Sequence, residues 1–490
     1  MASPHSSEKM ADKAETTVQA KTSSDGSHLS DPEHNEIVKD WSDEEERKVL
    51  RKTDLLLIPL LALCFACLQI DRGNIGNALT DFFLKDVDIT QNQFNLGQQL
   101  MAACAVVLEI PSNMILYKVG PTLWIGSQIV AWGFVATFQA FQKGFGAFLV
   151  TRILLGLTES GFIPGALYSI TSWYKSGELS KRFTLFWFGN MLANAFSGLI
   201  AYGILHMRGV AGLAGWQWLF IIEGTFTVLV GFLWFAIFPK STKDPVSLLG
   251  FTVFNDRERH ILVNRVLLDD PSKAIQRPHI EWSELKKALA NWTVYPHLVL
   301  TISAIAPMAA LTSYSPTIVA SFGYGRLQAN ALVSIGSWCS MVVCIIWAWG
   351  ADRTKVRGPF VFGGLLIYWG IVIGNRMLVH SKNSQARFAF LTLATIFSAP
   401  GHPVNASWVA LNAGTAAQRA IAMALFMVSS NLSGVVGYQL FQKKDAPNYP
   451  VGWAVIIALV TFGLFCAAGA NIQYWLLNGR VFRRNLRYKY

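Results

Sequence analysis

The chain is short of charge. Only 14% of its 490 residues are Asp, Glu, Lys or Arg, against about a quarter in soluble globular domains. Cysteine is scarce as well. Six residues spread over the whole length exclude a disulfide-built secreted scaffold. Cys64 and Cys67 have the spacing of a redox or zinc motif, but no second pair or histidine accompanies them, and no metal site is expected. No Gly-rich phosphate loop occurs, which argues against an ATP-driven pump. The first residues do not read as a signal peptide, since no basic start leads into an apolar run.

What fills the chain instead is apolar. Hydrophobic residues make up 52%, with 17 Trp and 32 Phe, and the mean hydropathy is +0.36. A net charge of +11 and a pI near 9.3 raise the possibility of a nucleic-acid partner, but the distribution speaks against it. Residues 1–46 hold twelve acids and four bases, and the remaining bases sit between long apolar runs and not on one face. That is the pattern of a membrane protein.

From Leu55 onward twelve apolar stretches are long enough to cross a bilayer, for which about 20 helical residues suffice. Six precede a polar break and six follow it. This implies an all-α membrane protein of twelve transmembrane helices in two six-helix bundles. The expected map is a disordered cytosolic tail over 1–45 and a first bundle over 46–239. A cytosolic central loop over 240–293, a second bundle over 294–478 and a basic cytosolic tail over 479–490 complete it. Ser42 with Glu45 forms a capping box that starts a short surface helix leading into the first span. With the N-terminus inside, inner segments from Arg47 onward hold seventeen Lys and Arg without the central loop, and outer loops seven. Both termini are therefore expected in the cytosol.

The informative residues are charges inside apolar spans, where each costs about 2.5–3.5 kcal/mol unless it meets a partner or a cavity. Span 1 carries Asp71-Arg72. The apolar run Leu55–Ile70 is too short to cross, so its helix must continue to about Ala78. Span 4 carries Arg152 and Glu159, nearly two turns apart and so on one face, beside Gly156, Ser160 and Gly161. This group reads either as a buried anion site beside a proton relay, or as an ion-pair network locking spans 1 and 4. Glu109 and Glu223 are weaker cases and read as groups that bond across helices or to loop backbone. Counting Asp71, Arg72, Glu109, Arg152, Glu159 and Glu223, four acids face two bases. A low-dielectric interior favours neutralising at least one of those acids with a proton.

In the second half, Tyr314-Ser315-Pro316 is expected to interrupt span 7 and Pro400-Gly401-His402-Pro403 to interrupt span 10. Broken helices at mid-membrane expose backbone groups and line substrate sites. Tyr314, His402, Asn405 and Trp408, with Asn190 of span 5, are the candidate substrate contacts. For His402 and Asn190 a purely structural hydrogen bond is the competing reading.

These segments resemble the major facilitator superfamily, and within it the fungal allantoate permease group of anion:cation symporters. The resemblance rests on Asp71-Arg-Gly-Asn-Ile-Gly-Asn77, Glu109-Ile-Pro-Ser-Asn113, the run Arg152 to Gly165, Gly215-Trp-Gln-Trp-Leu-Phe-Ile-Ile-Glu-Gly224 and Lys444-Asp-Ala-Pro-Asn-Tyr449. It implies that Asp71 and Glu159 couple protons, and that Arg72 and Arg152 neutralise a substrate carboxylate or organise the acids. The superfamily's gating motif has a counterpart between spans 8 and 9, with Asp352, Arg353 and Arg357 as gating residues. Its partner between spans 2 and 3, Tyr117-Lys118-Val-Gly120-Pro121, lacks the Asp-Arg pair.

The function expected is that of a proton-coupled symporter of a small organic anion such as a carboxylate, vitamin or allantoate-like nutrient, working by alternating access. Such a protein is not an enzyme and uses no cofactor. Its partners are the anion, protons and the bilayer, with no nucleic acid, and it acts as a monomer in the plasma membrane. Two alternatives use the same residues or fold: a proton-coupled exporter of a metabolite or toxin, and a non-transporting nutrient sensor.

Overall fold

The computed structural model describes residues 39–270, 282–413 and 416–481. The tail readings for residues 1–38 and 482–490, and the loop stretch 271–281, lie outside the described residues. Among the described residues the chain forms α1 Asp43–Ala78, α2 Phe83–Val87, α3 Gln91–Val119, α4 Pro121–Phe138, α5 Gly144–Glu159, α6 Phe162–Trp173, α7 Leu179–Leu205 and α8 Gly215–Ile237. The amphipathic α9 Asp256–Asp269 and α10 Trp282–Leu289 follow. Then come α11 Tyr295–Ser321, α12 Gln328–Thr354, α13 Gly358–Met377, α14 Ser384–Phe397, α15 Gly401–Leu411, α16 Ala416–Gly437 and α17 Pro450–Val481.

Nine described helical runs are long and apolar enough to cross a membrane, and Ile421–Gly437 is a shorter apolar one. With α4 and the broken pair α14–α15 they make twelve units. In the first six, α1 packs on α7, α4 on α8, and α3 on α5. In the second six, α11 packs on α16, α13 on α17, and α12 on α14. The same pairings recur in the same order, so the molecule is two like six-helix bundles. They meet along α3 with α16, α7 with α12, and α1 with α11.

The capping box at the start of α1 is present: Ser42 Oγ accepts from Glu45 N at 3.2 Å, and Glu45 accepts from Ser42 N at 2.9 Å. The helix it starts is not a separate surface helix. It runs on for 36 residues through Asp71-Arg72 to Ala78. The start of α1 marks what we call the near end of the bundle, and Ala78 the far end.

Two broken spans have different causes. Between α5 and α6 the chain leaves the helix at Ser160 and passes through Gly161 at φ 81°, a conformation that glycine adopts without strain. Between α14 and α15 the break falls at Ser398–Pro400, where the proline has no N–H to donate. Span 7 is not interrupted. α11 continues through both Pro307 and Pro316. The carbonyl that Pro316 cannot pair is that of Thr312, and Gly76 of α1 presses against it. A Cβ on Gly76 would stand 2.6 Å from that oxygen.

The two bundles are fused at the far end. One apolar cluster there joins Ile75, Phe83 and Phe94 of the first bundle to Tyr314, Phe441 and Tyr449 of the second. Hydrogen bonds add to it: Asn95 Nδ2 to Phe441 O at 2.8 Å, Gln91 Nε2 to Tyr449 Oη at 3.2 Å, Gln99 Nε2 to Val435 O at 2.9 Å and Asn330 Nδ2 to Thr80 Oγ1 at 2.8 Å. Arg326 of the second bundle lies 3.6 Å from the centroid of the Phe82 ring.

α9 buries Ile261, Leu262, Arg265 and Val266 against the apolar cluster of the first bundle, which includes Trp41 and Val49 of the α1 region and Trp173 and Tyr174. Each such aliphatic side chain is worth about 1.5–3 kcal/mol when fully buried. The guanidinium of Arg265 is wholly buried and pairs with Glu46 at 3.4 Å and with Glu178. Lys52 pairs with Glu258 at 2.5 Å and Arg182 with Asp54 at 2.6 Å. The loop helix is thereby tied to α1 and to the α6–α7 turn.

Candidate functional site

Consecutive helical residues point about 100° apart, and Asp71 and Arg72 separate accordingly. Arg72 Nε donates to Glu159 Oε2 at 2.6 Å. The Glu159 side chain is fully buried, while that of Arg72 remains 28% exposed. One side of this guanidinium thus satisfies a buried acid and the other meets open space. The break after Glu159 holds the acid in place. Ser112 and Gln128 donate to the freed Ser160 carbonyl at 2.7 and 2.5 Å, and Ser160 Oγ donates to Ala105 O at 3.2 Å.

Arg152 lies on the same face of α5, buried to 1% exposure. Its Nη1 donates to Gln98 Oε1 at 3.2 Å, and it stands 5.3 Å from the Phe148 ring centroid. Its Nε and Nη2 have no hydrogen-bond partner among the described residues. A buried guanidinium with two spare N–H groups is short of acceptors. Tyr438 from the second bundle is close enough to interact with Arg72, Arg152 and Glu159 together. Glu109 accepts from Asn431 Nδ2 at 2.8 Å, a bond between bundles, which matches the cross-helix reading made for that acid.

Asp71 does not join this group. It is buried and accepts from Thr227 Oγ1 of α8 at 3.0 Å. The arrangement brings together Arg72, Arg152 and Glu159 and turns Asp71 about 100° around α1, onto Thr227 of α8 but still near enough to feel the charge of Glu159. Arg72, Arg152, Glu159 and Glu109 balance one another when all four are ionised, with Asp71 beyond Glu159 outside that sum, so an entering anion upsets a balanced set.

The remaining candidates scatter. Asn190 accepts from Gln69 Nε2 at 2.6 Å and from Asn194 Nδ2 at 2.7 Å, linking α1 to α7. Tyr314 belongs to the far-end seal, with its hydroxyl on Asn95 and its ring 6.0 Å from Phe94 and 6.0 Å from Phe441. His402 stacks on Phe426 at 5.0 Å and lines a small cavity in the second bundle, beside Tyr368 and Pro400. Asn405 and Trp408 are buried around His297. Asn405 Oδ1 lies 2.6 Å from His297 Nδ1, and the Trp408 and His297 rings are 4.7 Å apart. Asp352 accepts from Arg357 Nη2 at 2.8 Å, Arg357 Nε donates to Ser407 at 3.0 Å, and Arg353 sits 5.6 Å from the Trp349 ring.

Sequence reasoning passed over Gln98, Tyr438, Thr227 and His297. Gln98 had a signal, a polar side chain in an apolar run. Tyr438 had none, because its role depends on which helices face each other.

A family model described as Major Facilitator Superfamily matches residues 61–438. The chain is 29% identical over 440 residues to an uncharacterised transporter of Saccharomyces cerevisiae, covering 89% of this chain and 81% of that one. It is 28% identical over 456 residues to the MFS-type transporter cnsO of Penicillium expansum, covering 91% and 86%. Among solved structures it resembles a D-xylose–proton symporter, with a TM-score of 0.64 at 14% identity over 85% of this chain and 97% of that one. It also resembles an inward-facing bacterial homologue of the human lysosomal transporter Spinster, with a TM-score of 0.61 at 14% identity over 85% and 95%. At such identities the likeness is one of fold.

Proposed function

Because the chain belongs to the major facilitator superfamily and is a transporter, not an enzyme, we propose that it carries a small organic anion together with a proton by alternating access. The observation that carries this reading is the Arg72–Glu159 pair, 2.6 Å apart, with the acid sealed and the base partly open. The expected near end is the cytosolic side of the plasma membrane, which agrees with the excess of Lys and Arg there.

Arg72 and Arg152 attract the carboxylate of the cargo. Arg152 contributes its two spare N–H groups, and Arg72 contributes the face not used by Glu159. A monoanion added to the balanced set leaves one negative charge too many in a low-dielectric site. A proton on Glu159 restores neutrality, and it also frees Arg72 to turn fully to the cargo. The loaded and empty sites then carry the same net charge, so either can be enclosed as the bundles rock. The charged states in between are costly to enclose, and this difference couples the proton to the cargo. Asp352, Arg353 and Arg357 act as gating residues at the near end of the second bundle.

The test is uptake of labelled small carboxylates into proteoliposomes under an imposed pH gradient. Inward accumulation that follows the gradient supports symport. Accumulation opposite to the gradient means an exporter, and no flux with any carboxylate means a sensor or a cargo of another class.

A further inference from the structure

Behind the anion site, on the other face of α1, lies a second polar group that the proposed cycle does not use. Asp71 and Asn74 are three residues apart on α1, and Glu223 and Thr227 four apart on α8, so each pair shares one helix face. The two faces meet. Thr227 Oγ1 donates to Asp71 Oδ2 at 3.0 Å, and Asn74 Nδ2 donates to Glu223 Oε2. Asn74 is 1% exposed and Glu223 7% exposed.

The amide and the carboxyl of Asn74 and Glu223 are matched groups, each with two polar atoms. One contact between them is N–H to oxygen. The atoms left over, Asn74 Oδ1 and Glu223 Oε1, are both acceptors, and both are buried without a hydrogen-bond partner among the described residues. Turning the amide over does not help, because the pair still has one donor group for three oxygens. A hydrogen on the carboxyl does help. A neutral acid donates to the amide carbonyl while accepting from the amide N–H, completing a two-point pair.

The surroundings point the same way. The titratable groups that face Glu223 and Asp71 are each other, Cys67 of α1 and, beyond Asp71, Glu159 of α5; α4 contributes the uncharged Trp132. No base donates a hydrogen bond to either carboxyl among the described residues. Two adjacent carboxylates without a cation repel strongly in a low dielectric.

We propose that Glu223 is a second proton-binding site in the first bundle, held as a neutral acid in a two-point pair with Asn74 beside an ionised Asp71. The site positions α1. The proton allows α8 to sit against Asp71, and the same stretch of α1 aims Arg72 at Glu159. This deepens the proton-coupled reading above, but the protonation of Glu223 stands or falls independently of any transport measurement.

Infrared difference spectra of the purified full chain, wild type against Glu223→Gln at neutral pH, test it directly. Expected is the loss of one C=O stretching band of a protonated carboxyl. Loss of a carboxylate band instead means that Glu223 is ionised and overturns the proposal. So does a protonated band that disappears when Na⁺ is added at constant pH, since the site then holds a metal ion. Unfolding midpoints give a second readout. Glutamine reproduces both contacts of a neutral acid without taking up a proton on folding, so at neutral pH the Glu223→Gln midpoint lies at or above that of the wild type, while Glu223→Ala lies below Glu223→Gln. In the wild type the midpoint falls relative to Glu223→Gln as pH rises above the ordinary carboxyl range, where the unfolded chain has released the proton and the folded one keeps it. A glutamine variant as unstable as the alanine variant at neutral pH also overturns the proposal.

Discussion

Arg72 reaches across from α1 to Glu159 at the end of α5, Nε to Oε2 at 2.6 Å, and keeps one side of its guanidinium open. From this pair the transport predictions follow.

Glu159→Gln removes the carboxylate that accepts a proton. Accumulation driven by a pH gradient should be abolished, while exchange of cargo across the membrane should persist, because neither step of exchange needs the proton to move. Counterflow of a labelled carboxylate with and without a gradient checks this. Wild-type accumulation by the variant would remove Glu159 from the mechanism.

Arg72→Lys keeps the charge but loses the planar fork that serves an acid on one side and a cargo on the other. The expected effect is a rise in KM of about tenfold, the equivalent of about 1.4 kcal/mol. Gln98 should matter less than either arginine, since Gln98→Ala removes only one hydrogen bond, at 3.2 Å, from Arg152.

The far-end seal should loosen in Tyr314→Phe. The variant loses the hydroxyl contact to Asn95 but keeps the ring packed among Phe94, Phe441 and Tyr449. About 1 kcal/mol lost from the closed state shifts the population by roughly fivefold toward far-end opening. Alkylation of a cysteine introduced at Gln91 should speed up accordingly.

Two glycines set how closely the bundles approach at that end. A Cβ at Gly76 would stand 2.6 Å from Thr312 O, and one at Gly198 would stand 2.3 Å from Asn330 O. Gly76→Leu and Gly198→Leu should fold within each bundle yet fail to close the far end. The cysteine reporter would then react at its open-state rate, and transport would stop.

The near end carries an acid-sensitive tie. Burial pushes the Glu46 carboxyl up, but hydrogen bonds from Lys175 and Trp41 and the charges of Lys175 and Arg265 outweigh it and lower it from 4.5 to about 2. A carboxyl depressed on folding stabilises above its unfolded value, and that gain is lost as pH falls through this window. Hydrogen exchange over residues 256–269 should therefore quicken between about pH 4.5 and 2. Glu46→Gln should show the quickening already at neutral pH, by the 1.5–3 kcal/mol or so of a charge-assisted hydrogen bond.

By itself the amino-acid sequence determined the class of the molecule. Apolar runs of about 20 residues admit helices that cross a bilayer, and the cost of charge in lipid singled out Asp71, Arg72, Arg152 and Glu159 before any fold was known. The end of α1 at Ala78 was readable for the same reason, since the apolar run alone was too short. Direction was not readable. Asp71 and Arg72 are neighbours, and only the placing of other helices around α1 decides that Arg72 pairs with Glu159 and Asp71 with Thr227. Tyr314 looked like a substrate contact because Pro316 follows it, but α11 stays continuous where Gly76 packs on the carbonyl the proline leaves unpaired. Glu109 and Asn431 lie 322 positions apart, and no local pattern couples them. Composition reports what a segment must avoid, whereas a partner depends on which surfaces two separately formed bundles bring together.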